Sequence, residues 1–256
     1  MKAGTSSLHA WMNLHPELAM SRTKELDFFT HSKAPLGGLR RYRWSFPNEG
    51  AIAGESSVNY SKSARFPGVP ERMARVVPRA KLIYVLRDPL QRTLSHYRHN
   101  LSHGRERRVI EDALTDFPSN NYVVTSRYHE QLLAFLKHYA RHQVHLVDFA
   151  TMRDDPARVM HDVFDFLGVD ATFTHADFGK VHHASSNKGR PNRLGATIAT
   201  VPYLRHLRYA LPAVFEAPLD RPQLPGDVRD ALLEHFRSDV DALRAESGLA
   251  LESWSV

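Results

Sequence analysis

The sequence contains no cysteine among its 256 residues. This absence excludes disulfide bonds and thiolate metal ligands, and it is typical of a cytoplasmic protein. No apolar run approaches the roughly 18 residues that a transmembrane helix requires, and no signal peptide is recognisable. Sixteen histidines are present, yet none has a zinc-binding spacing. We therefore expect a cytoplasmic protein with no metal site and no transmembrane segment.

Acidic residues are fewer than basic ones, 28 against 34, which gives a net charge of +6. This balance favours anionic partners such as nucleotide phosphates or acidic glycans. The basic residues form only short clusters, at 40–43 and 105–108. The length suits one large domain with a sizeable core, and we predict a single domain over residues 1–256.

The most informative segment stands at the start of the chain. Lys2, Gly4 and three consecutive hydroxyl residues, Thr5 to Ser7, precede an apolar run with helical spacing. Glycine lets the backbone approach an anion closely, and N–H groups at a helix N-terminus favour negative charge. The order differs from a Walker A motif, in which the lysine follows the second glycine. The segment therefore predicts either a phosphate-binding loop or simply a capped first helix.

Strands and helices alternate along the chain. Apolar, β-prone runs predict a buried strand at 51–53 and further strands at 81–86 and 144–147, and amphipathic spacing predicts helices over 5–14, 89 onward, 124–140, 155–167 and 227–246. Such alternation indicates a parallel α/β sheet with ligands at the carboxyl ends of its strands, where Glu55 and Arg87 stand.

A phosphate-binding loop normally follows a buried strand, and no such strand stands in front of Lys2. The predicted fold is therefore an α/β, P-loop-like parallel sheet flanked by helices that lacks its first strand. We expect the native product, or an ancestral form, to begin upstream by about one strand, ~5–10 residues.

Several segments, in the same order, resemble one family: the sulfotransferases that use 3′-phosphoadenosine 5′-phosphosulfate (PAPS). The segment 2–8 resembles their 5′-phosphosulfate loop, and 87–97 resembles their 3′-phosphate motif. The segments 24–29 and 54–60 are similar to the heparan-sulfate-type branch, and 187–191 resembles the loop of that branch that covers the cofactor.

The resemblance covers nearly the whole chain. It implies that 180–195 is the loop that covers the cofactor. It also implies that 227–254 corresponds to the C-terminal helix and tryptophan of bacterial members. It implies PAPS as the co-substrate, with no metal. It also implies the following cofactor-binding residues: Lys2, Ala3, Gly4, Thr5, Ser6, Ser7, Arg87, Ser95, Tyr128, Lys188, Gly189 and Arg190. For Tyr128, which would lie near the adenine, an aromatic residue in the core is the alternative.

The resemblance also assigns the chemistry. Lys2 stabilises the leaving phosphate, and Glu25 takes the proton of the acceptor, with a surface glutamate beside Lys24 as the alternative reading. Glu55 is a second catalytic carboxylate, or one that orients other groups. Two positions depart from the family, which has histidine in place of Asp27 and lysine in place of Ser56. His31 or Arg41 could replace the missing cation.

The expected function is therefore transfer of a sulfuryl group from PAPS to a hydroxyl or amine of a carbohydrate or glycoconjugate, with no nucleic-acid partner. Tyr42, Trp44 and Phe46 could form an acceptor wall or ordinary core packing. Two alternatives stay open. One is a P-loop small-molecule kinase, with Asp148 as its strand-end acid, and the other is a non-catalytic binder of anionic glycan.

Overall fold

The computed structural model describes residues 2–31, 36–47, 52–180, 190–191, 214, 216–217 and 222–256. Its main strands form two parallel pairs. β1 (Leu18–Met20) pairs with β2 (Ile52–Gly54), with Leu18 opposite Ile52. β3 (Leu82–Leu86) pairs with β4 (Val144–Asp148), with Leu82 opposite Val144. The prediction of parallel strands in an α/β fold is confirmed.

A third pair is short and antiparallel. β5 (Arg190–Pro191) pairs with β6 (Glu216–Ala217). Within the described ranges no ladder of hydrogen bonds joins these three pairs to one another. The described strands thus form separate two-stranded sheets, whereas the sequence predicted one sheet.

Helices connect the strands. In chain order they are α1 (Thr5–Met12), α2 (Leu36–Arg43), α3 (Val69–Val76), α4 (Pro89–Ser102), α5 (Ile110–Ala113), α6 (Asn121–Val124), α7 (Tyr128–Leu136), α8 (Phe149–Asp154), α9 (Pro156–Leu167) and α10 (Gly226–Ser247). Short 3₁₀ turns lie at Phe28–Thr30 and Arg141–Gln143. The predicted helix over 124–140 is wrong in its bounds, because Thr125 ends α6 and α7 begins only at Tyr128.

The β3–β4 pair lies between two layers of helices. Leu86 and Leu146 belong to a core with α4, α7 and α10, whereas Val85 and Val147 belong to a second core with α1 and α9. Neighbouring residues of a strand point to opposite faces, so this pair is covered on both sides. None of the helices in the described ranges combines the length and the apolar composition that a membrane crossing needs.

A cavity of about 480 Å³ is lined by residues of β1, β2 and β3 together with Thr5 and Leu8 of α1. We call it the inter-strand cavity. Ile52, on β2, borders it and is 44% exposed. The prediction that the strand at 51–53 is buried is therefore wrong, because no described element covers this strand on the cavity side.

Candidate functional site

The segment before α1 forms a tight loop whose backbone carries the turn. Gly4 is the N-cap of α1 with φ 84°, and its carbonyl accepts hydrogen bonds from the N–H groups of Ser7 and Leu8. Lys2 also has a left-handed backbone, with φ 67°, which is uncommon for a non-glycine residue and is enriched at functional sites. The loop therefore presents the first N–H groups of α1 to whatever lies in front of the helix.

Gly4 admits no side chain, because a Cβ there would lie 2.3 Å from Cε of Met152 and 2.9 Å from Cδ2 of Phe149. We expect Gly4→Ala to lower the free energy of unfolding by about 2–4 kcal/mol, through left-handed strain and overpacking. Urea denaturation measures this change. Gly226→Ala is the matched control, since nothing lies within 4 Å of its Cβ, and it should change stability by less than about 1 kcal/mol. Equal effects of the two substitutions would contradict the assigned role of Gly4.

Arg87 connects this loop to the end of β3. Its Nη1 donates to the carbonyl of Lys2 at 2.8 Å, and its guanidinium lies 4.9 Å from the centre of the Phe149 ring. Its backbone N–H donates to the hydroxyl of Tyr128 at 3.2 Å. Burial lowers the pKa of Arg87, but an arginine stays protonated at this position. The side chain is a fixed cation beside the loop that contains Lys2.

Asp88 begins α4, and its carboxylate accepts the N–H of Gln91. The described residues contain no ion pair between Asp88 and Arg87. The cap therefore leaves Arg87 directed toward the loop. Ser95 lies two turns into α4 and borders the same cavity as Arg87.

This cavity has a volume of about 980 Å³ and is the candidate site. Among the described residues, three lysines and four arginines line it, against a single carboxylate, that of Glu25. Of the predicted site residues, those that border it are Lys2, Gly4, Thr5, Ser6, Ser7, Glu25, Arg87 and Ser95. Residues up to 93 positions apart thus meet in one strongly electropositive space. Such a field favours a ligand with several negative charges.

Glu25 borders the same cavity, and its backbone is strained. It has φ 64°, and Asp27 has φ 51°. The N–H of Glu25 donates to the carbonyl of Ser56, and the N–H of Asp27 donates to the hydroxyl of Ser57. Oε1 of Glu25 lies 2.8 Å from Nζ of Lys24, and the Glu25 side chain is 43% exposed. The carboxylate thus remains accessible at the cavity wall.

Glu55 is not among the described residues that border this cavity. Its Oε1 accepts the hydroxyls of Tyr42 and Tyr60 at 2.8 Å each, and its Oε2 accepts the hydroxyl of Ser57 at 2.9 Å. Burial raises the pKa of Glu55, and these three hydrogen bonds oppose that rise. Because Ser57 in turn accepts the N–H of Asp27, the cluster fixes the strained segment that carries Glu25.

Two other predicted cofactor residues lie in the core. Ala3 and Tyr128 are 2% and 3% exposed, and neither borders the cavity within the described ranges. Tyr128 instead supports the backbone of Arg87. Lys188 and Gly189 lie outside the described residues, and only the backbone of Arg190 is described.

The three aromatic residues of the predicted acceptor wall lie in different environments. The Tyr42 ring stacks on Phe28 at 4.4 Å and meets Phe46 edge-on at 5.2 Å, which is core packing. Trp44 is 67% exposed. The suggested replacement cations, His31 and Arg41, are exposed and do not border the cavity within the described part of the chain.

The cavity residues that sequence reasoning missed include Asn59, Lys62 and His96. Lys62 and His96 are 6% and 2% exposed, and Nδ1 of His96 has no hydrogen-bond partner among the described residues. His96 lies inside the segment 87–97 that resembles the 3′-phosphate motif, and that position could have indicated it. No local pattern indicates that Lys62 is buried.

The described residues contain no group of three or more histidine, aspartate or glutamate side chains that could hold a metal ion. Asp148, the strand-end acid of the kinase alternative, is the N-cap of α8. Its carboxylate accepts the N–H of Thr151 and the indole N–H of Trp254.

The family model described as "Sulfotransferase domain" matches residues 1–199. The chain belongs to the sulfotransferase domain family. The bifunctional heparan sulfate N-deacetylase/N-sulfotransferase 2 of Bos taurus is 30% identical over 190 residues, which cover 66% of this chain and 21% of that protein. The corresponding enzyme 1 of Xenopus tropicalis is 24% identical, with 99% of this chain and 30% of that protein covered.

A solved structure shows the same fold. The sulfotransferase from Alicyclobacillus acidocaldarius matches with a TM-score of 0.72 and 24% identity, over all of this chain and 95% of that one. The sulfotransferase domain described here spans only about a fifth to a third of the length of the curated relatives named above.

Proposed function

We propose that this chain transfers a sulfuryl group from PAPS to a hydroxyl or amine of a carbohydrate or glycoconjugate. One observation carries the proposal: a single basic cavity contains the Lys2–Ser7 loop, the Arg87–Ser95 pair and the carboxylate of Glu25. Two separate anion sites beside one accessible carboxylate suit a donor with two anionic groups and an acceptor that must lose a proton.

The residues present fit PAPS. The loop N–H groups and Lys2 would hold the 5′-phosphosulfate, and Arg87 with Ser95 would hold the 3′-phosphate. The seven basic side chains that line the cavity in the described part of the chain would attract the negative charges of the donor. The unpartnered, buried Nδ1 of His96 supplies a further polar atom toward the same space. When bound, PAPS supplies an activated sulfuryl group with a phosphate leaving group.

In the proposed reaction, the S–O bond to the phosphate breaks with its electron pair, and a new bond forms between sulfur and the acceptor oxygen or nitrogen. The products are the sulfated acceptor and adenosine 3′,5′-bisphosphate. Lys2 and the first N–H groups of α1 stabilise the charge that develops on the phosphate, which is commonly the largest contribution to catalysis.

Glu25 accepts the proton of the acceptor in this proposal. Its strained backbone holds the carboxylate at the cavity wall, where Lys24 forms an ion pair with it at 2.8 Å. Glu55 acts as a positioning residue, since its three hydroxyl partners fix the segment that carries Glu25. Lys188, Gly189 and Arg190 remain proposed cofactor residues on the strength of the sequence resemblance.

A carbohydrate acceptor is favoured by two observations. The relatives named above are heparan sulfate N-sulfotransferases by name, and Arg65, Arg105 and Arg153 line the cavity beyond the two anion sites. A basic surface of this kind suits an acidic glycan. Amine and hydroxyl acceptors both fit the chemistry assigned to Glu25.

The kinase alternative is less well supported. It needs a strand-end acid that binds magnesium, and the carboxylate of Asp148 already accepts three hydrogen bonds, two from Thr151 and one from Trp254. The alternative of a non-catalytic glycan binder would leave the carboxylate of Glu25, which a strained backbone holds at the cavity, without a role.

Thermal unfolding of the purified protein with different ligands tests the proposal. We expect adenosine 3′,5′-bisphosphate and PAPS to raise the melting temperature, and magnesium-ATP to have little effect. PAPS labelled with ³⁵S should then transfer its label to N-deacetylated heparan sulfate or to another member of a glycan panel. Stabilisation by magnesium-ATP alone would favour the kinase, and ligand binding with no transfer to any acceptor would favour the binder.

We further propose that one strand is needed to complete the sheet, and that it leads into the Lys2 loop. The inter-strand cavity supports this proposal, because both parallel pairs and α1 border it. A strand there would pair the sheets and end beside the loop, as in other phosphate-binding α/β folds.

A further inference from the structure

Lys62 is a buried cation without a carboxylate partner. It is 6% exposed, and its Nζ donates to Oδ1 of Asn59 at 2.7 Å. No carboxylate lies within ion-pair distance of it among the described residues. An ammonium group has three donors, and burial of a charge is costly unless it is paired. Within the described part of the chain Lys62 therefore keeps unused donors at the candidate site, which it borders.

The position of Lys62 is fixed by a short chain of hydrogen bonds. Nδ2 of Asn59 donates to Oδ2 of Asp27 at 2.7 Å, while Oδ1 of Asn59 accepts from Lys62. Asp27 in turn is held through its N–H by Ser57. The same strained segment that carries Glu25 thus also places Lys62.

Lys62 borders the same cavity as both halves of the proposed reaction, Glu25 for the acceptor and the Lys2 loop with Ser95 for the donor. The charges of Arg92 and Arg65, and those of Glu25 and Asp27, act on Lys62. Burial, and then nearby charges that include Lys62, lower the pKa of His96, which follows Ser95 on α4. A sulfuryl group in transfer must lie between the acceptor's base and the donor's binding site, and Lys62 borders the cavity that is lined by both.

We infer that Lys62 is a further catalytic residue that contacts the oxygens of the transferring sulfuryl group. This inference rests on the proposed function. As the S–O bond to the phosphate breaks and the bond to the acceptor forms, Lys62 remains protonated and stabilises the charge on those oxygens. Ser56 stands where the family has a lysine, and a serine side chain carries no charge. Its hydroxyl shares a hydrogen bond with Nδ1 of His9.

The protonation of Lys62 gives a second readout. Burial first, and then the charges of Arg92 and Arg65, lower the pKa of Lys62 to about 8, against the opposing charges of Glu25 and Asp27. In the free enzyme Lys62 therefore loses its charge as the pH rises through about 8. The value of kcat/KM, which reports the free enzyme, should fall there.

The test compares Lys62→Met, Lys62→Gln and Lys62→Arg with the wild-type protein, using PAPS and N-deacetylated heparan sulfate or whichever acceptor is active. We expect Lys62→Met and Lys62→Gln to lower kcat by about 10²-fold. The affinity for adenosine 3′,5′-bisphosphate, which has no sulfuryl group, should not change. Lys62→Arg should recover part of the rate and abolish the fall of kcat/KM above about pH 8. Lys137→Met, at an exposed lysine, is the control.

Three results would overturn the inference. A parallel loss of bisphosphate affinity would place Lys62 at the 3′-phosphate, a change confined to the KM of the acceptor would place it at the acceptor, and an unchanged kcat would exclude catalysis. The side chain of Lys62→Gln can still donate a hydrogen bond to Asn59. If its melting temperature equals that of the wild-type protein, a lower kcat reports on catalysis and not on folding. If the wild-type protein itself fails to consume PAPS, the proposed function fails instead.

Discussion

Glu25→Gln should lower kcat by about 10²–10⁴-fold, the range by which a positioned general base accelerates a reaction. Glutamine keeps the shape of the side chain and can still accept a hydrogen bond from Lys24, which lies 2.8 Å from Oε1 in the wild-type protein. It cannot take a proton from the acceptor. Binding of adenosine 3′,5′-bisphosphate should be unchanged, because Glu25 is not part of either proposed anion site. Steady-state kinetics and calorimetry measure the two quantities.

The control for this substitution is Glu71→Gln. Glu71 is also about half exposed and also forms an ion pair, with Arg75 at 2.6 Å, but it lies on α3 and does not border the cavity within the described ranges. Its removal should leave kcat unaltered. Glu25→Asp keeps the carboxylate on a shorter side chain and should give an intermediate rate. A wild-type rate for Glu25→Gln would mean that another group accepts the proton.

Sequence patterns predicted the parts of the fold that depend on local chemistry. β3 is β-branched and aromatic, α4 begins at Pro89 with Asp88 as its cap, and α10 follows an amphipathic stripe. Each of these signals acts within a few residues. The two anion motifs also predicted that the Lys2 loop and Arg87 contribute to one site, and both border the same cavity.

The missed elements have weaker local signals. β1 has only three residues, and its burial depends on contacts with distant parts of the chain. Tyr128 looked equally suited to a ligand or to the core, and only tertiary packing decides that its hydroxyl meets the backbone of Arg87. Lys62 is buried because Asn59 and the Asp27 segment enclose it, and a charged residue in a polar stretch gives no sign of such an environment.

The electrostatics of the cavity were predicted only in sign. A net charge of +6 indicates an anionic partner, but it does not say where the cations gather. Among the described residues, seven of them line one cavity together with a single carboxylate. This concentration, rather than the total charge, distinguishes a donor site for a multiply charged anion from a generally basic surface.

An apolar strand fused in front of Met1 should stabilise the protein. The inter-strand cavity of about 480 Å³ is bordered by Ile52, which is 44% exposed, and by the partly buried Ile83, and such a strand would cover their apolar surface. About five valine and isoleucine residues span a typical strand, and burial contributes about 1.5–3 kcal/mol for each side chain against about 1–2 kcal/mol of backbone ordering. The net gain should be a few kcal/mol, or roughly 5–15 °C in melting temperature for a chain of this size.

The two controls separate pairing from mere added length. A Gly/Ser extension of equal length stays flexible and should give no rise in melting temperature. A proline in the middle of the apolar extension removes a ladder hydrogen bond and should cancel part of the gain. Because the strand would lead directly into the Lys2 loop, the apolar extension should also tighten binding of adenosine 3′,5′-bisphosphate, and hydrogen exchange should show its amides protected. Stabilisation that is equal for the apolar and the Gly/Ser extensions would mean that the cavity does not take a strand, and the proposal of a completed sheet would then be wrong.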